Sequence, residues 1–358
     1  MHVACYKQFM QGKFNNKAKH TKPTQIGIAL QGGGSYGAYA KGALKALLQS
    51  DFAAKANIAA IAGTSAGALN GAMLAYGLNK GGAHEAVKHL DGLWDDVQLM
   101  GSAMSFWHNL GPLTNLSWPN VPQHKMMMFA FAQAALPQGI ALSALKDSVN
   151  AQIDDFEILR NGPTALFVNA VKHNLHTRQR DHVVFHGSTL SAETIIASGA
   201  LESLGGLEIN GETYYDGAYW RNPCFVDLER ANISDLLVIT LQAKPSAPIT
   251  AQHQDEARNT GHSKIGYELI TKEIHGHLAH IHHTNPKLNL HVLSLSVDPR
   301  WDDTSRINTD PTWLNHLEEL GKKDAQQWLT AHLDDLGKKS TYKPDQGFIG
   351  GTTLSIKP

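Results

Sequence analysis

Residues 25–37, QIGIALQGGGSYG, and residues 58–67, IAAIAGTSAG, carry the pattern that predicts the fold of this chain. Each stretch begins with an apolar run that predicts a buried strand and ends in a glycine-framed turn. Small and apolar residues at helical spacing follow both turns, over residues 36–48 and 66–76. Two strand–turn–helix units in succession predict an α/β layered fold.

The same alternation continues along the chain. Residues 84–98 predict an amphipathic surface helix. Two late helices, near 262–283 and 311–333, flank a predicted strand at 288–295, and no internal repeat is visible. Between these parts, further segments of the alternation lie at 164–171, 182–186, 191–198, 213–215 and 236–241.

Three segments depart from this alternation. Residues 1–23 carry lysines and no acid, which predicts a mobile arm or, alternatively, an electrostatic contact with anionic lipid. Residues 100–136 are rich in methionine and aromatic side chains. Two hypotheses remain open for them, a gap-filling part of the core and a lid or acyl-chain channel. Residues 338–358 are polar and rich in Gly and Lys, which predicts a loose tail.

Composition narrows the function classes. The chain has 358 residues, is 42% hydrophobic and carries a net charge of −1, so no overall field favours nucleic acid. Its cysteines, Cys5 and Cys224, argue against a disulfide framework. Neither a cleavable signal peptide nor a membrane span is predicted, because glycines and polar residues interrupt the apolar stretch at 58–78. We expect a location in the cytoplasm or peripheral to a membrane.

Gly63-Thr64-Ser65-Ala66-Gly67 matches the G-x-S-x-G nucleophile elbow. In that turn a serine hydroxyl is pushed out of the backbone at a helix N-terminus, where the helix dipole favours negative charge. Ser65 is therefore the predicted nucleophile, and Gly63 and Gly67 permit the tight turn. The simpler alternative is an ordinary serine N-cap.

The first turn, from Gly32 to Gly37, would present unpaired backbone N–H groups at a helix start, as a developing oxyanion needs. It also matches the G-x-G-x-x-G dinucleotide fingerprint at Gly32, Gly34 and Gly37. The ribose acid of that fingerprint should lie at the end of the second strand. Asp51 precedes that strand instead, so a nucleotide site is the disfavoured alternative.

The serine also needs a base. Asp216 ends a predicted strand and is followed at once by Gly217, so its carboxylate can approach another part of the backbone closely. Taken alone, this Asp-Gly pair is a weak signal, and a hairpin turn explains it as well.

Three ordered motifs, Gly32–Gly37, Gly63–Gly67 and Asp216-Gly217-Ala218, resemble those of the patatin-like phospholipase family. Ala197-Ser198 and Asn222-Pro223 also fit the resemblance, which runs from about Gln25 to about His332. It implies a three-layer α/β/α sandwich with a mainly parallel central sheet, and a catalytic domain over residues 24–337.

The same resemblance implies a Ser65–Asp216 dyad without a catalytic histidine, in which Asp216 accepts the Ser65 proton directly. The backbone N–H groups of Gly33, Gly34 and Ala66 would hold the oxyanion. The family often has Arg or Lys where this chain has Tyr36.

A serine lipid acyl hydrolase follows from the resemblance, acting through an acyl-enzyme on a lipid or ester substrate. Neither a cofactor nor a metal is expected, and peripheral membrane contact is allowed. Three alternatives remain open: acyl transfer to an alcohol by the same dyad, a Ser-His-Asp α/β-hydrolase with a late histidine, and a non-catalytic nucleotide- or lipid-binding module. The histidine cluster at 275–283 lacks acidic or cysteine partners at matching spacing, which favours a solvated helix over a zinc site.

Overall fold

The architecture is taken from a computed structural model. It describes residues 22–110, 140–174, 179–202, 205–225, 227–228, 231–243, 264–298, 301 and 303–342. Nearly all of the predicted arm, most of the predicted lid or channel segment and most of the predicted tail therefore lie outside the described residues.

A single mixed sheet forms the centre of the described chain. Its strands are β1 (Thr24–Leu30), β2 (Ala56–Gly63), β3 (Ala165–Asn174), β4 (Gln179–His186), β5 (Leu207–Ile209), β6 (Glu212–Asp216), β7 (Asp235–Ala243) and β8 (Asn289–Ser296). Their order is β5-β6-β3-β2-β1-β7-β8, with β4 also paired to β3. The run β3-β2-β1-β7-β8 is parallel, whereas β4 and β6 are antiparallel to β3. The predicted mainly parallel sheet is confirmed.

Helices follow most strands. They are α1 (Gly37–Leu48), α2 (Phe52–Lys55), α3 (Ala66–Gly81), α4 (Ala83–Leu110), α5 (Ile140–Gln152), α6 (Phe156–Asn161), α7 (Ala192–Ala197), α8 (Lys264–Thr284) and α9 (Pro311–His332). Helices α1, α3, α4 and α9 contribute to the core on one face of the sheet. Helix α8 contributes Ile274, Leu278 and Ile281 to a separate core with β1, β2, β7 and β8 on the other face. Helices on both faces of the sheet make the predicted three-layer α/β/α arrangement.

Strand β1 illustrates why these residues form a central strand. Ile26, Ile28 and Leu30 point into the core beneath α1 and α3, whereas Ala29 points into the core beneath α8. Alternate residues of a strand face opposite sides of its sheet, so a strand buried on both faces is apolar throughout. This explains the continuous apolar run from which the strand was predicted.

The packed structure extends into the first residues of the predicted lid or channel segment and of the predicted tail. Helix α4 continues to Leu110, so it extends past residue 100, where the predicted lid or channel segment begins. At the other end, residues 338–342 attach to β8, because the N–H groups of Thr341 and Tyr342 donate to the carbonyl oxygen of Leu290 at 3.0 and 2.9 Å. The start of the predicted tail therefore extends the packed structure.

A buried cluster of charges joins three helices on the side of α1. Lys41 and Lys45 of α1 each contact both Asp91 of α4 and Glu318 of α9, at N···O distances of 2.7–3.0 Å. Burial raises the pKa of Glu318, but the hydrogen bonds from the two lysines outweigh it and hold the pKa at about 2. The carboxylate is therefore ionised throughout the neutral range and anchors α9 to α1.

Candidate active site

Ser65 lies between the end of β2 and the start of α3 in a strained backbone conformation. Its φ and ψ are 54° and −123°, in a region that non-glycine residues seldom occupy. Strain of this kind persists where surrounding structure enforces it. Here a Cβ at Gly63 would overlap the backbone of Gly67, and a Cβ at Gly67 would overlap the carbonyl of Leu30. The tight packing of these two glycines enforces the turn, and the Ser65 residue stays partly exposed.

Asp216 is the last residue of β6 and is buried. One of its carboxylate oxygens accepts a hydrogen bond from the backbone N–H of Ala218 at 2.8 Å. Burial raises the pKa of Asp216 to about 6, against the opposing effect of hydrogen bonds from the Ala218 N–H and the Ser65 side chain. The carboxylate therefore lies beside the Ser65 hydroxyl, and its pKa is close to that of a base suited to neutral pH.

Strand register explains how these two residues meet. The last residue of β2, Gly63, pairs with Val168 of β3, and Asp216 pairs with Ala170. Because β4 occupies the opposite edge of β3 over both positions, β2 and β6 must share the remaining edge. The two strands run in opposite directions, so their chain ends meet head to head. The Ser65 turn and Asp216 both lie at that meeting point.

The first glycine turn packs directly against the serine turn. A Cβ at Gly32 would lie 2.7 Å from the Ser65 Cβ, so only glycine allows this approach. Asn222 holds Gly32 in place, since its side chain accepts from the Gly32 N–H at 2.6 Å and donates to the Gly32 carbonyl at 2.9 Å. The backbone of Arg306 also packs against this turn, because a Cβ at Gly34 would overlap the Arg306 carbonyl oxygen.

Three backbone N–H groups at this junction are available to a ligand. Within the described part of the chain, those of Gly33, Gly34 and Ala66 donate to no protein acceptor. The Ala66 N–H is the first of α3 and has no intrahelical partner, and Gly33 and Gly34 precede α1. An anion in contact with all three would accept hydrogen bonds from residues just before α1 and from the first residue of α3.

Asn169 and Ser198 connect the serine turn with the aspartate loop. The Asn169 side chain accepts from the Thr64 hydroxyl at 2.6 Å and donates to the carbonyl of Gly217 at 3.1 Å. Ser198 donates to the carbonyl of Asn169 at 2.6 Å. The sequence-based prediction gave Asn169 no role, although an amide within the apolar strand at 164–171 was a visible signal. A polar side chain that is wholly buried in a strand needs partners, and here the partners belong to the site.

The remaining motif residues have packing roles. Gly37 lies against Ala66 and Trp94, where a Cβ would come within 2.9 Å of the Ala66 Cβ. A Cβ at Gly217 would collide with Asn169. Tyr36, where the family that the motifs resemble often has Arg or Lys, has the guanidinium of Arg306 5.6 Å from its ring. A cation thus lies beside this position although residue 36 carries none.

Residues invoked by the alternative hypotheses lie elsewhere. Asp51 is the N-cap of α2 and precedes β2, so a full strand separates it from Ser65. No described histidine hydrogen-bonds to Ser65 or Asp216. His275 instead stacks on Tyr342, and burial lowers the pKa of His275 to about 4. Among the described residues no group of histidine, cysteine or acidic side chains is arranged to hold a metal ion.

Residues 28–228 match the model of the patatin-like phospholipase family, and this chain belongs to that family. The match includes Ser65, Asp216 and both glycine turns, and it supports a lipid acyl hydrolase. No curated protein matches this sequence. In the described part of the chain, none of the helices has the length and hydropathy that crossing a bilayer requires.

Several solved structures are similar to this chain at low identity. VipD from Legionella pneumophila is 15% identical with a TM-score of 0.38, over 87% of this chain and 67% of VipD. Human GIVD cytosolic phospholipase A2, in complex with methyl gamma-linolenyl fluorophosphonate, is 14% identical with a TM-score of 0.41, over 88% of this chain and 58% of that one. The type III effector ExoU of Pseudomonas aeruginosa is 15% identical with a TM-score of 0.35, over 88% and 54%. The chain thus spans little more than half the length of the human phospholipase and of ExoU.

Proposed function

We propose that this chain hydrolyses lipid esters, of the phospholipase A, lysophospholipase or esterase type, through a Ser65–Asp216 dyad. The observation that carries the proposal is the contact of the strained, partly exposed Ser65 with a buried carboxylate whose pKa is raised to about 6. A serine hydroxyl is a weak nucleophile until a neighbouring base accepts its proton. Asp216 is ionised at neutral pH and is the base in contact with it.

The proposed reaction has two halves. Ser65 Oγ attacks the ester carbonyl carbon while its proton passes to Asp216, and the resulting oxyanion accepts hydrogen bonds from the N–H groups of Gly33, Gly34 and Ala66. Collapse of this intermediate breaks the bond to the alcohol, which takes the proton from Asp216 and leaves an acyl-enzyme. Water then attacks the acyl carbonyl while one of its protons passes to Asp216. Collapse of the second intermediate breaks the bond between the acyl carbon and Ser65 Oγ, Asp216 returns the proton to that oxygen, and the fatty acid leaves. Each hydrogen bond in such an oxyanion hole contributes about 2.7–4 kcal/mol to the transition state.

The test combines covalent labelling with turnover. A fluorophosphonate probe should label the wild-type chain and fail to label Ser65→Ala, whereas Ser188→Ala, which removes an exposed hydroxyl on a neighbouring surface turn, should be labelled normally. Asp216→Asn should keep the fold and lose about 100- to 10,000-fold in the release of fatty acid from phospholipid vesicles. Labelling that persists in Ser65→Ala, or near-normal turnover by Asp216→Asn, would refute the dyad.

A Ser-His-Asp triad is tested in the same assay. Single His→Ala variants of the histidines that follow Asp216, from His253 to His332, should all retain acyl-enzyme formation. Loss of labelling in one correctly folded variant would identify a catalytic histidine and replace the dyad with a triad.

A further inference from the structure

Three large side chains are exposed next to the candidate site. Leu201, Tyr219 and Trp220 expose 37%, 43% and 46% of their surface to solvent. Exposed apolar side chains are ordinary when scattered, but a group of them beside a binding site marks an interaction surface. We call these three residues the aromatic rim.

Both segments that carry the aromatic rim start at the nucleophile. A Cβ at Gly199 would lie 3.6 Å from the Ser65 Oγ, and Asp216 is the proposed base. The Asp216 N–H donates to the Ala200 carbonyl at 2.7 Å, and the Gly217 N–H donates to the Ser198 carbonyl at 3.2 Å. Hydrogen bonds thus join the two segments beside Ser65, and both then lead outward to the rim.

Contacts from the rest of the chain hold the aromatic rim in a fixed orientation. The Tyr219 hydroxyl accepts a hydrogen bond from the Glu202 N–H at 3.1 Å, which also places Tyr219 next to Leu201. The Trp220 ring stacks on the His182 ring of β4, with centroids 5.4 Å apart and 6° between the planes. Because other contacts already hold these two rings, they lose little further side-chain entropy when a partner covers them.

Among the described residues, the charged side chains near the aromatic rim include both signs, and Arg221 and Asp227 both act on His182, the ring against which Trp220 stacks. The Arg180 guanidinium lies 5.9 Å from the Tyr219 ring and forms an ion pair with Glu202 at 2.7 Å. Attraction to an anionic surface requires a cluster of uncompensated lysine or arginine side chains. The chemistry of the rim therefore favours an uncharged apolar partner that also accepts hydrogen bonds at its boundary.

We propose that the aromatic rim docks the protein on the surface of a zwitterionic phospholipid bilayer, with the Ser65 turn facing the lipid. Tryptophan and tyrosine side chains prefer the headgroup level of a bilayer, where the ring is buried and the polar atom stays hydrated. A lipid surface is chosen over a protein partner because the rim continues directly into a site whose family acts on lipid. The inference rests on the proposed function and adds how that site reaches its substrate.

Vesicle binding without turnover tests the proposal. Ser65→Ala protein is sedimented with phosphatidylcholine vesicles, alone and combined with Tyr219→Ser and Trp220→Ser. The added substitutions should lower the partition coefficient at least about tenfold, which corresponds to about 1.4 kcal/mol. Raising the salt from low to high concentration should change binding by less than about twofold, because the expected attraction is apolar. Trp220→Phe, which keeps an aromatic ring, should retain most of the binding.

Leu99→Ser is the matched control, because Leu99 is 71% exposed on a different element, α4. Equal loss of binding in Leu99→Ser, unchanged binding in the rim variant, or binding only to anionic vesicles at low salt would overturn the proposal. A change in oligomeric state caused by the rim substitutions would replace the bilayer with a second copy of the chain. Circular dichroism of each variant checks the fold. Vesicle binding by Ser65→Ala does not depend on turnover, so it tests docking separately from the dyad. If Ser65→Ala binds vesicles as expected but the probe fails to label the wild type, the dyad is refuted and the docking proposal stands.

Discussion

The backbone N–H of Ser65 donates a hydrogen bond to the Oγ of Ser198 at 2.9 Å, and that hydroxyl donates in turn to the carbonyl of Asn169 at 2.6 Å. One buried hydroxyl thus holds the strained serine turn against β3. Ser198 touches no reacting atom in the proposed mechanism, so its role is to position Ser65. Its removal would leave a buried donor and a buried acceptor without a partner.

Replacing Ser198 with alanine should therefore lower both stability and activity. An unpaired buried polar group costs about 1–3 kcal/mol, and we expect a loss of unfolding free energy in that range by urea denaturation. The rate of fluorophosphonate labelling should fall as well, because Ser65 is less firmly oriented toward Asp216. Ser188→Ala should change neither quantity. Full stability in Ser198→Ala would show that the hydrogen bonds through Ser198 contribute nothing.

Activity should follow the ionisation of Asp216. The raised pKa of about 6 means that Asp216, the proposed base, is protonated at lower pH and cannot then accept the Ser65 proton. On a soluble short-chain ester, kcat/KM should be constant above about pH 7 and fall about tenfold per pH unit below pH 6. An inflection near 4, the ordinary value for an aspartate, would contradict the burial of this carboxylate.

The same raised pKa predicts that the ionised form of Asp216 lowers the free energy of unfolding. The native state binds the Asp216 proton more tightly than the unfolded state, so this group favours folding below its ordinary pKa of 3.8. That contribution is lost as the pH rises through 6. Asp216→Asn should therefore gain unfolding free energy relative to the wild type between pH 4 and pH 6, and the difference should stay level above that. A difference that does not vary with pH would exclude a raised pKa.

Alanine substitutions at Gly34 and Gly211 distinguish the effect of backbone strain from the effect of steric crowding. Both have positive φ, 60° and 79°, but a Cβ at Gly34 would overlap the Arg306 carbonyl while a Cβ at Gly211 meets no atom. Gly211→Ala should cost about 1–2 kcal/mol of stability and leave turnover unchanged. Gly34→Ala should displace the first glycine turn and reduce turnover at least about 100-fold, the effect of losing one of the proposed oxyanion donors. Equal turnover in the two variants would show that the Gly34 N–H does not donate to the oxyanion.

The buried charge cluster should dominate the stability of the helical layer. Glu318→Gln leaves Lys41 and Lys45 without one of their two carboxylate partners, and we expect a loss of about 3–5 kcal/mol in urea denaturation at pH 7. Because the folded pKa of Glu318 is lowered to about 2, its contribution is complete above its ordinary value of 4.5 and declines as the pH falls toward 2.

The neighbouring residue supplies the control for that prediction. Glu319 is exposed and pairs only with Lys322 among the described residues, so Glu319→Gln should change stability by less than about 1 kcal/mol. Similar losses in Glu318→Gln and Glu319→Gln would show that the cluster is no stronger than an ordinary surface ion pair.

The strand–turn–helix units and both glycine turns could be predicted from the amino-acid sequence. Their signals are local: apolar periodicity, and glycines at the positions where a tight turn leaves no room for a Cβ. The elbow at Ser65 could therefore be predicted before any contact was known. The segment around Asp216 gave only a weak local signal, because an Asp-Gly pair at a strand end fits a hairpin turn equally well.

How these parts meet could not be predicted from the sequence, because it depends on long-range packing. The contact of Ser65 with Asp216 depends on β2 and β6 sharing one edge of β3 and ending at adjacent positions, which is set by pairing between strands far apart in the chain. The role of Asn169 and the raised pKa of Asp216 arise in the same way, since each follows from what surrounds a side chain after folding. Local sequence fixes backbone conformation over a few residues, whereas burial and hydrogen-bond partners exist only once distant segments are packed together.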